Sequence, residues 1–219
     1  MTSVILSCPT VRDELLAALR KAGARTPVLF LPRTLHNDPA ELKRYLQDTL
    51  DRLANIERVY LLPSGCGGGT TGLRAGEAEL VVPRTRDCLD LLLSGARLSE
   101  LRRDIRGIFV TASWMEQMKA SEIDLDRLTA KKGRSEAEQY LRALYKTFNE
   151  FYLIDTGCYD LAPVRAYIEP LVAVLNGKIT EVPGACGILR KVAEERVDED
   201  FLRVAPGTCV PAGGFLPNR

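Results

Sequence analysis

Four side chains in the first half of the chain have the types that bind soft metal ions: Cys8, His36, Cys66 and Cys88. Three thiols and one imidazole form a zinc-like donor set. None of the spacings is a C-x-x-C knuckle, so no local finger is present and the fold must assemble the ligands. Three protein ligands with one open position is the arrangement of catalytic zinc, which holds thiolates deprotonated and activates a soft nucleophile. The competing reading makes Cys8 and Cys88 small buried apolar groups and His36 a polar residue at a helix cap. Residue types alone leave both readings open.

Cys66 lies inside the densest glycine stretch, Gly65-Cys66-Gly67-Gly68-Gly69-Thr70-Thr71-Gly72, directly after the apolar run Val59 to Leu62. Glycine admits positive φ and close backbone approach. A ligand-contacting loop and a plain sharp turn after a strand both fit that composition. In the ligand reading, the amides of Gly65, Gly67, Gly68, Gly69 and Thr70 hold a small oxyanion or carboxylate. The run also matches G-x-G-x-x-G formally, with Asp87 or Asp90 at the distance of a ribose contact. Only Leu-Arg-Ala-Gly-Glu-Ala-Glu separates Gly72 from the next strand, however. That is too short for a dinucleotide-binding helix, and no lysine follows to complete a Walker loop. A Cys66 or Cys88 nucleophile with His36 as base is a further arrangement of the same residues. Asp155-Thr156-Gly157 matches the aspartic-protease tripeptide, but a second copy is missing, and a turn at a strand end accounts for it. Trp114, the single tryptophan, walls a ligand pocket or fills a core.

The elements that must position these residues alternate in type. Ser3 to Ser7, Pro27 to Leu31, Arg58 to Leu62, Leu80 to Val82, Gly107 to Thr111, Phe151 to Ile154, Ile179 to Val182 and Phe201 to Val204 read as strands. Helical spacing separates most of them. Thr10 is expected to cap the first helix, and Asp38-Pro39 to open the second. Strands alternating with helices imply an α/β protein, Rossmann-like, with a mostly parallel sheet. Ligands of such sheets bind beyond the carboxyl ends of the strands. Cys8, His36, Cys66, Cys88, Trp114, Asp155 and Cys186 all follow strands in this reading. Residues 1–219 read as one α/β domain. One sheet and two similar lobes, 1–115 and 116–219, both remain open. The charged region 120–140 is a hinge or excursion between halves, and the Pro/Gly-rich tail is loosely held.

Composition limits the function classes. The formal charge is +1, from 30 basic and 29 acidic residues, which argues against a large nucleic-acid footprint. No apolar run is long enough to cross a membrane, and the N-terminus lacks a charged n-region. A cytoplasmic location is therefore expected, with the six cysteines as thiols, ligands or core rather than disulfides.

Several motifs in fixed order carry a resemblance. They are Cys8 after the first strand, Leu35-His36-Asn-Asp-Pro39, Gly65-Cys66-Gly67-Gly-Gly69…Gly72-Leu73, Val82-Pro83-Arg84…Asp87-Cys88, Thr111-Ala-Ser-Trp114-Met-Glu116, Ile154-Asp155-Thr156-Gly157 and Val204-Ala-Pro206-Gly207. The chain resembles, over essentially its whole length, an uncharacterised bacterial and archaeal family known only as domain of unknown function number sixteen thirty-eight. It departs at Ser64-Gly-Cys-Gly-Gly-Gly69, where the family usually has Gly-Leu-Cys-Gly-Asn-Gly, and at Ala112-Ser113, where the family tends to Pro-Gly. The thiols are retained. Members of that family are often encoded beside corrinoid-dependent methyltransferases, so the resemblance implies a place in methyl-group or one-carbon metabolism.

The two lines together give a defined expectation. His36, Cys66 and Cys88 are metal ligands, with Cys8 as a fourth or reserve ligand, and the metal is zinc. The expected activity is metal-dependent methyl transfer to a thiol or other soft acceptor, linked to a corrinoid held on a partner protein. Asp155 orients a ligand or takes a proton, Trp114 closes the pocket, and Gly65 to Thr70 hold the substrate. The alternatives are an accessory protein that handles a metal or cofactor without catalysis, and an anion- or nucleotide-binding protein that uses the glycine loop.

Overall fold

The apolar run Ser3–Ser7 forms strand β1, and every residue in it is buried. That burial follows from its place inside a sheet with a strand on each side. The computed structural model describes residues 2–103, 107–146 and 148–216. After β1 come α1 (Arg12–Ala22), β2 (Val28–Phe30), α2 (Pro39–Arg52), β3 (Arg58–Leu61), β4 (Glu79–Pro83) and α3 (Cys88–Leu93). Next are β5 (Ile108–Val110), α4 (Ala112–Lys119), α5 (Leu125–Lys132), α6 (Arg134–Leu144), β6 (Glu150–Asp155), α7 (Leu161–Val174) and β7 (Lys178–Pro183). The chain closes with α8 (Gly187–Ala193) and β8 (Phe201–Val204). The expected alternation of strands and helices is present.

The chain divides into two compact units, Met1–Leu101 with Ala185–Arg219, and Arg102–Gly184. The first holds a sheet of order β2-β1-β3-β4-β8. Its pairs are parallel except β4–β8, which is antiparallel. The chain moves from β1 outward to β2, then returns to place β3 on the other side of β1. The C-terminal ends of β1 and β3 therefore flank a reversal of strand order, the place where doubly wound sheets bind ligands.

Side-chain alternation along the strands separates two faces. Val4, Leu6, Val59, Leu61, Leu80 and Val82 meet Leu42, Leu46 and Leu50 of α2. Each of those leucines contributes about 2 kcal/mol by leaving water. Asp38 caps α2 by accepting from the amides of Ala40 and Glu41, with Pro39 at the first helical position, as expected. Ile5 and Tyr60, one residue out of phase, are fully buried on the other face, where α8 packs against both α1 and α3.

Two local expectations are corrected. Thr10 does not cap α1: it lies in a 3-10 turn, Pro9–Val11, and Val11 takes the cap position without a side-chain bond. The proline before it forces a tight turn that places the hydroxyl one residue too early. The tail is also held firmly rather than loosely. Gly72 donates to Val210, Val210 to Leu73, Ala75 to Thr208 and Leu216 to Arg84. Val210 is buried in the same core as α2. The loop between β3 and β4 has no crossover helix, so its backbone groups pair with the tail instead.

The second unit holds a parallel sheet of order β5-β6-β7. Its core gathers Val110, Met115, Leu125, Leu128, Leu141, Phe151, Leu153, Ile168 and Leu171. The charged region 120–140 is thus not an excursion. It folds as α5 and α6, joined at Gly133, and gives Leu125, Leu128, Ala137 and Leu141 to this core.

Candidate functional site

Cys8 directly follows β1, His36 lies in the 3-10 turn Arg33–Asn37 after β2, Cys66 follows β3, and Cys88 opens α3 after β4. All four thus stand at the C-terminal ends of the parallel strands of the first unit. Cys8 and Cys66 stand on either side of the reversal of strand order.

The three thiols converge. Burial raises the Cys8 thiol, and the neighbouring Cys88 raises it further, so that it is pushed up to about 12. Burial also pushes Cys66 well above its ordinary value, and Cys88, Cys8 and Asp87 add to the effect in that order. The backbone N–H of Cys88 donates to the Cys66 sulfur and opposes the rise. Cys8 thus feels the charge that Cys88 would carry, and Cys66 the charges of both Cys88 and Cys8. Without a cation Cys8 and Cys66 keep their protons at neutral pH, and none of the three cysteines forms a disulfide.

His36 stands further out. Desolvation lowers its pKa, while the Asp87 carboxylate acts in the opposite direction. Asp87 is therefore the residue that faces both His36 and Cys66. Among the described residues, no group of three or more His, Cys, Asp or Glu side chains is arranged to hold a metal ion. The thiols share a neighbourhood without forming a closed ligand sphere.

The glycine loop is shaped by the protein's own backbone. A Cβ at Gly65 would lie 2.9 Å from the carbonyl oxygens of both Thr85 and Arg86. Gly67 has φ +54°, and a Cβ there would lie 2.7 Å from Pro39 Cγ at the start of α2. The loop is wedged between the β4–α3 connection on one side and α2 on the other. Its amides are engaged internally. Gly65 donates to Thr85, Cys66 to Pro63, Gly68 to Gly65, Gly69 to Cys66 and Thr71 to Gly68. The Thr70 hydroxyl, fully buried, donates to the Ser64 carbonyl. This engagement takes the amides of Gly65, Gly68 and Gly69 out of an open anion cradle, because donors already paired are not available to an anion.

Trp114 and Asp155 belong to the second unit. The Trp114 indole packs against that unit's core. The Asp155 carboxylate accepts from the Gly157 amide at 2.9 Å and closes the turn after β6. Cys186 also stands apart from the three thiols. Its amide donates to Leu92 near the far end of α3, whereas Cys88 begins that helix. Cys88 and Leu92 are about 6 Å apart along the helix axis.

The roles of Arg86, Asp87 and Asp90 at this site differ from the sequence reading, in which Asp87 or Asp90 stands at the distance of a ribose contact and Arg86 has no part. Asp87 caps α3 through the amides of Leu89 and Asp90. Arg86 and Asp90 form a buried pair. The Asp90 carboxylate accepts from the Arg86 amide at 2.9 Å, from Nε at 2.7 Å and from Nη2 at 2.7 Å. That pairing uses Asp90 for the fold, so it is not a ribose contact. The available signals were an Asp immediately before a short apolar helix and an Arg–Asp spacing of four.

The fold and site define a Rossmann-like α/β protein with a cluster of three thiols at the reversal of its sheet. The chain belongs to the family described as protein of unknown function (DUF1638), whose model matches residues 30–193. No curated protein and no solved structure matches the chain.

Proposed function

We propose that this protein binds one soft divalent cation, zinc, through Cys8, Cys66 and Cys88, and acts in the transfer of methyl groups. The observation that carries the reading is the convergence of three thiols from three separate loops at the strand reversal of a doubly wound sheet. Burying three mutually repelling thiols is unfavourable for their ionised forms, and a bound cation inverts that preference. His36 and Asp87 stand next to the cluster as the fourth ligand or its hydrogen-bonded support. Zinc held there would keep an incoming acceptor thiol deprotonated at neutral pH, so that its sulfur takes the methyl group as the methyl–cobalt bond breaks and leaves its electron pair on cobalt. The chain's own part is to keep the site dry and to hold the sulfurs at the mouth of the sheet. The methyl donor in this reading is a methylated corrinoid on a partner protein, as the resemblance implies.

A second reading is favoured by one observation. The thiols are gathered but not arranged around a common point. A site that must close on its metal exchanges it more readily than a rigid one, which suits an accessory protein that delivers a metal or cofactor. One assay separates the two. Metal-loaded protein is mixed with a methylated corrinoid protein and a thiol acceptor, and loss of the methyl–cobalt absorbance is followed. Turnover that falls at least a hundredfold in Cys66→Ala supports the enzyme. Metal binding with no turnover in either protein supports the accessory role.

A further inference from the structure

We infer that Arg86 and Asp90 are positioning residues for the thiol cluster: their buried ion pair fixes the β4–α3 connection as the surface on which the Cys66 loop is seated. This rests on the reading of Cys8, Cys66 and Cys88 as the functional group of the protein. Asp90 is fully buried, and the Arg86 side chain is only 8% exposed. Three bonds from Arg86, one from its amide and two from its guanidinium, lock the backbone of the connection onto the first turn of α3. A fork-shaped guanidinium and a carboxylate constrain each other in plane as well as in distance.

Two carbonyls presented by this locked segment form the seat. Gly65 donates its amide to Thr85 at 3.1 Å. The absence of a side chain at Gly65 lets it press against the Thr85 and Arg86 oxygens, where a Cβ would sit only 2.9 Å from each. The next residue is Cys66, whose sulfur receives the Cys88 amide from the same connection. Arg86 and Asp90 thus act on Cys66 and Cys88 together, through the backbone of the β4–α3 connection.

A second ion pair of the same sheet supplies the control. Arg58 Nε meets Glu79 at 2.9 Å, at the opposite ends of β3 and β4 from the thiols. Its side chains are 13% and 18% exposed. Loss of general stability would affect both pairs' variants alike, whereas a positioning role belongs to Arg86–Asp90 alone.

The experiment compares full-length wild type, Asp90→Asn, Arg86→Lys and Glu79→Gln. Two properties are read: the rate of Cys66 alkylation by iodoacetamide, located by peptide mass, and the sulfur-to-cadmium charge-transfer band on titration with Cd²⁺ alone. Asp90→Asn is expected to raise the alkylation rate about tenfold and to weaken Cd²⁺ binding at least about tenfold, as loss of a ligand-supporting contact does. The band per chain should also shrink, because fewer sulfurs reach the ion. Arg86→Lys keeps the charge without the fork, so it is the milder variant, expected to show the same changes at smaller size and to serve if Asp90→Asn fails to fold. Glu79→Gln should leave both properties as in wild type. Equal changes in the Glu79 and Asp90 variants at matched loss of Tm overturn the proposal, as do unchanged properties in both Asp90→Asn and Arg86→Lys. If wild type takes up no Cd²⁺, the metal reading fails, while the alkylation comparison still decides the positioning role.

Discussion

The thiols carry a signature that can be read without any ligand. The ordinary Cys value is 9.0, and Cys8 is held at about 12 in the fold. The folded state keeps its proton after the unfolded chain has lost it. The resulting stabilisation is complete below pH 9 and is lost progressively as pH rises toward 12. In chelator-treated protein, stability measured by urea unfolding should fall across that window by on the order of 1 kcal/mol per pH unit for each such thiol. Cys8→Ser should flatten the fall. A slope unchanged in Cys8→Ser would remove Cys8 from the buried cluster. Gly65 gives a second test at this scale. Gly65→Ala forces a methyl group against two backbone oxygens that cannot rotate away, at a cost of about 1–3 kcal/mol. Gly76 has open space around it, so Gly76→Ala should stay within about 0.5 kcal/mol of wild type.

At the scale of elements, the periodic features were the legible ones. Leucines at helical spacing in α2 and the Asp38-Pro39 start are visible in the sequence because propensity, capping and burial agree there. The sequence also places Cys8, His36, Cys66 and Cys88 after strands, which is where they lie. The glycine loop was less legible. Four glycines around a thiol look the same whether a ligand or the protein's own backbone approaches them, and here Thr85, Arg86 and Pro39 supply the approach. Long-range polar pairing was hidden too. Lys191 on α8 is buried and reaches Asp198 at 2.7 Å and Asp200 at 2.5 Å, while Asp200 also accepts from the Leu98 amide. Asp200→Ala leaves Lys191 with Asp198 alone and takes the acceptor from the Leu98 amide, so it should cost about 2–3 kcal/mol. A loss below about 1 kcal/mol by urea unfolding would mean that water reaches this network.

At the scale of the molecule, alternation of strands and helices predicts the α/β class but not the route of the chain. The return at Ala185, which brings α8 and β8 back to the first sheet, depends on pairings more than a hundred residues apart, such as Leu80 with Val204. No local pattern encodes such a pairing. The tail shows the same limit. Its prolines and glycines read as loose chain, yet Val210 fills the core and its backbone pairs with Leu73 and Gly72. Val210→Ala should therefore cost about 2 kcal/mol, and the amides of Thr208 and Val210 should show protection from hydrogen exchange.

The central claim is that three thiols brought together at the reversal of the first sheet hold a metal ion. The most direct measurement is the zinc content of protein purified without a histidine tag, set beside Cys66→Ser. The account predicts about one zinc per wild-type chain, removed in the variant. No metal in either protein after zinc supplementation would contradict it.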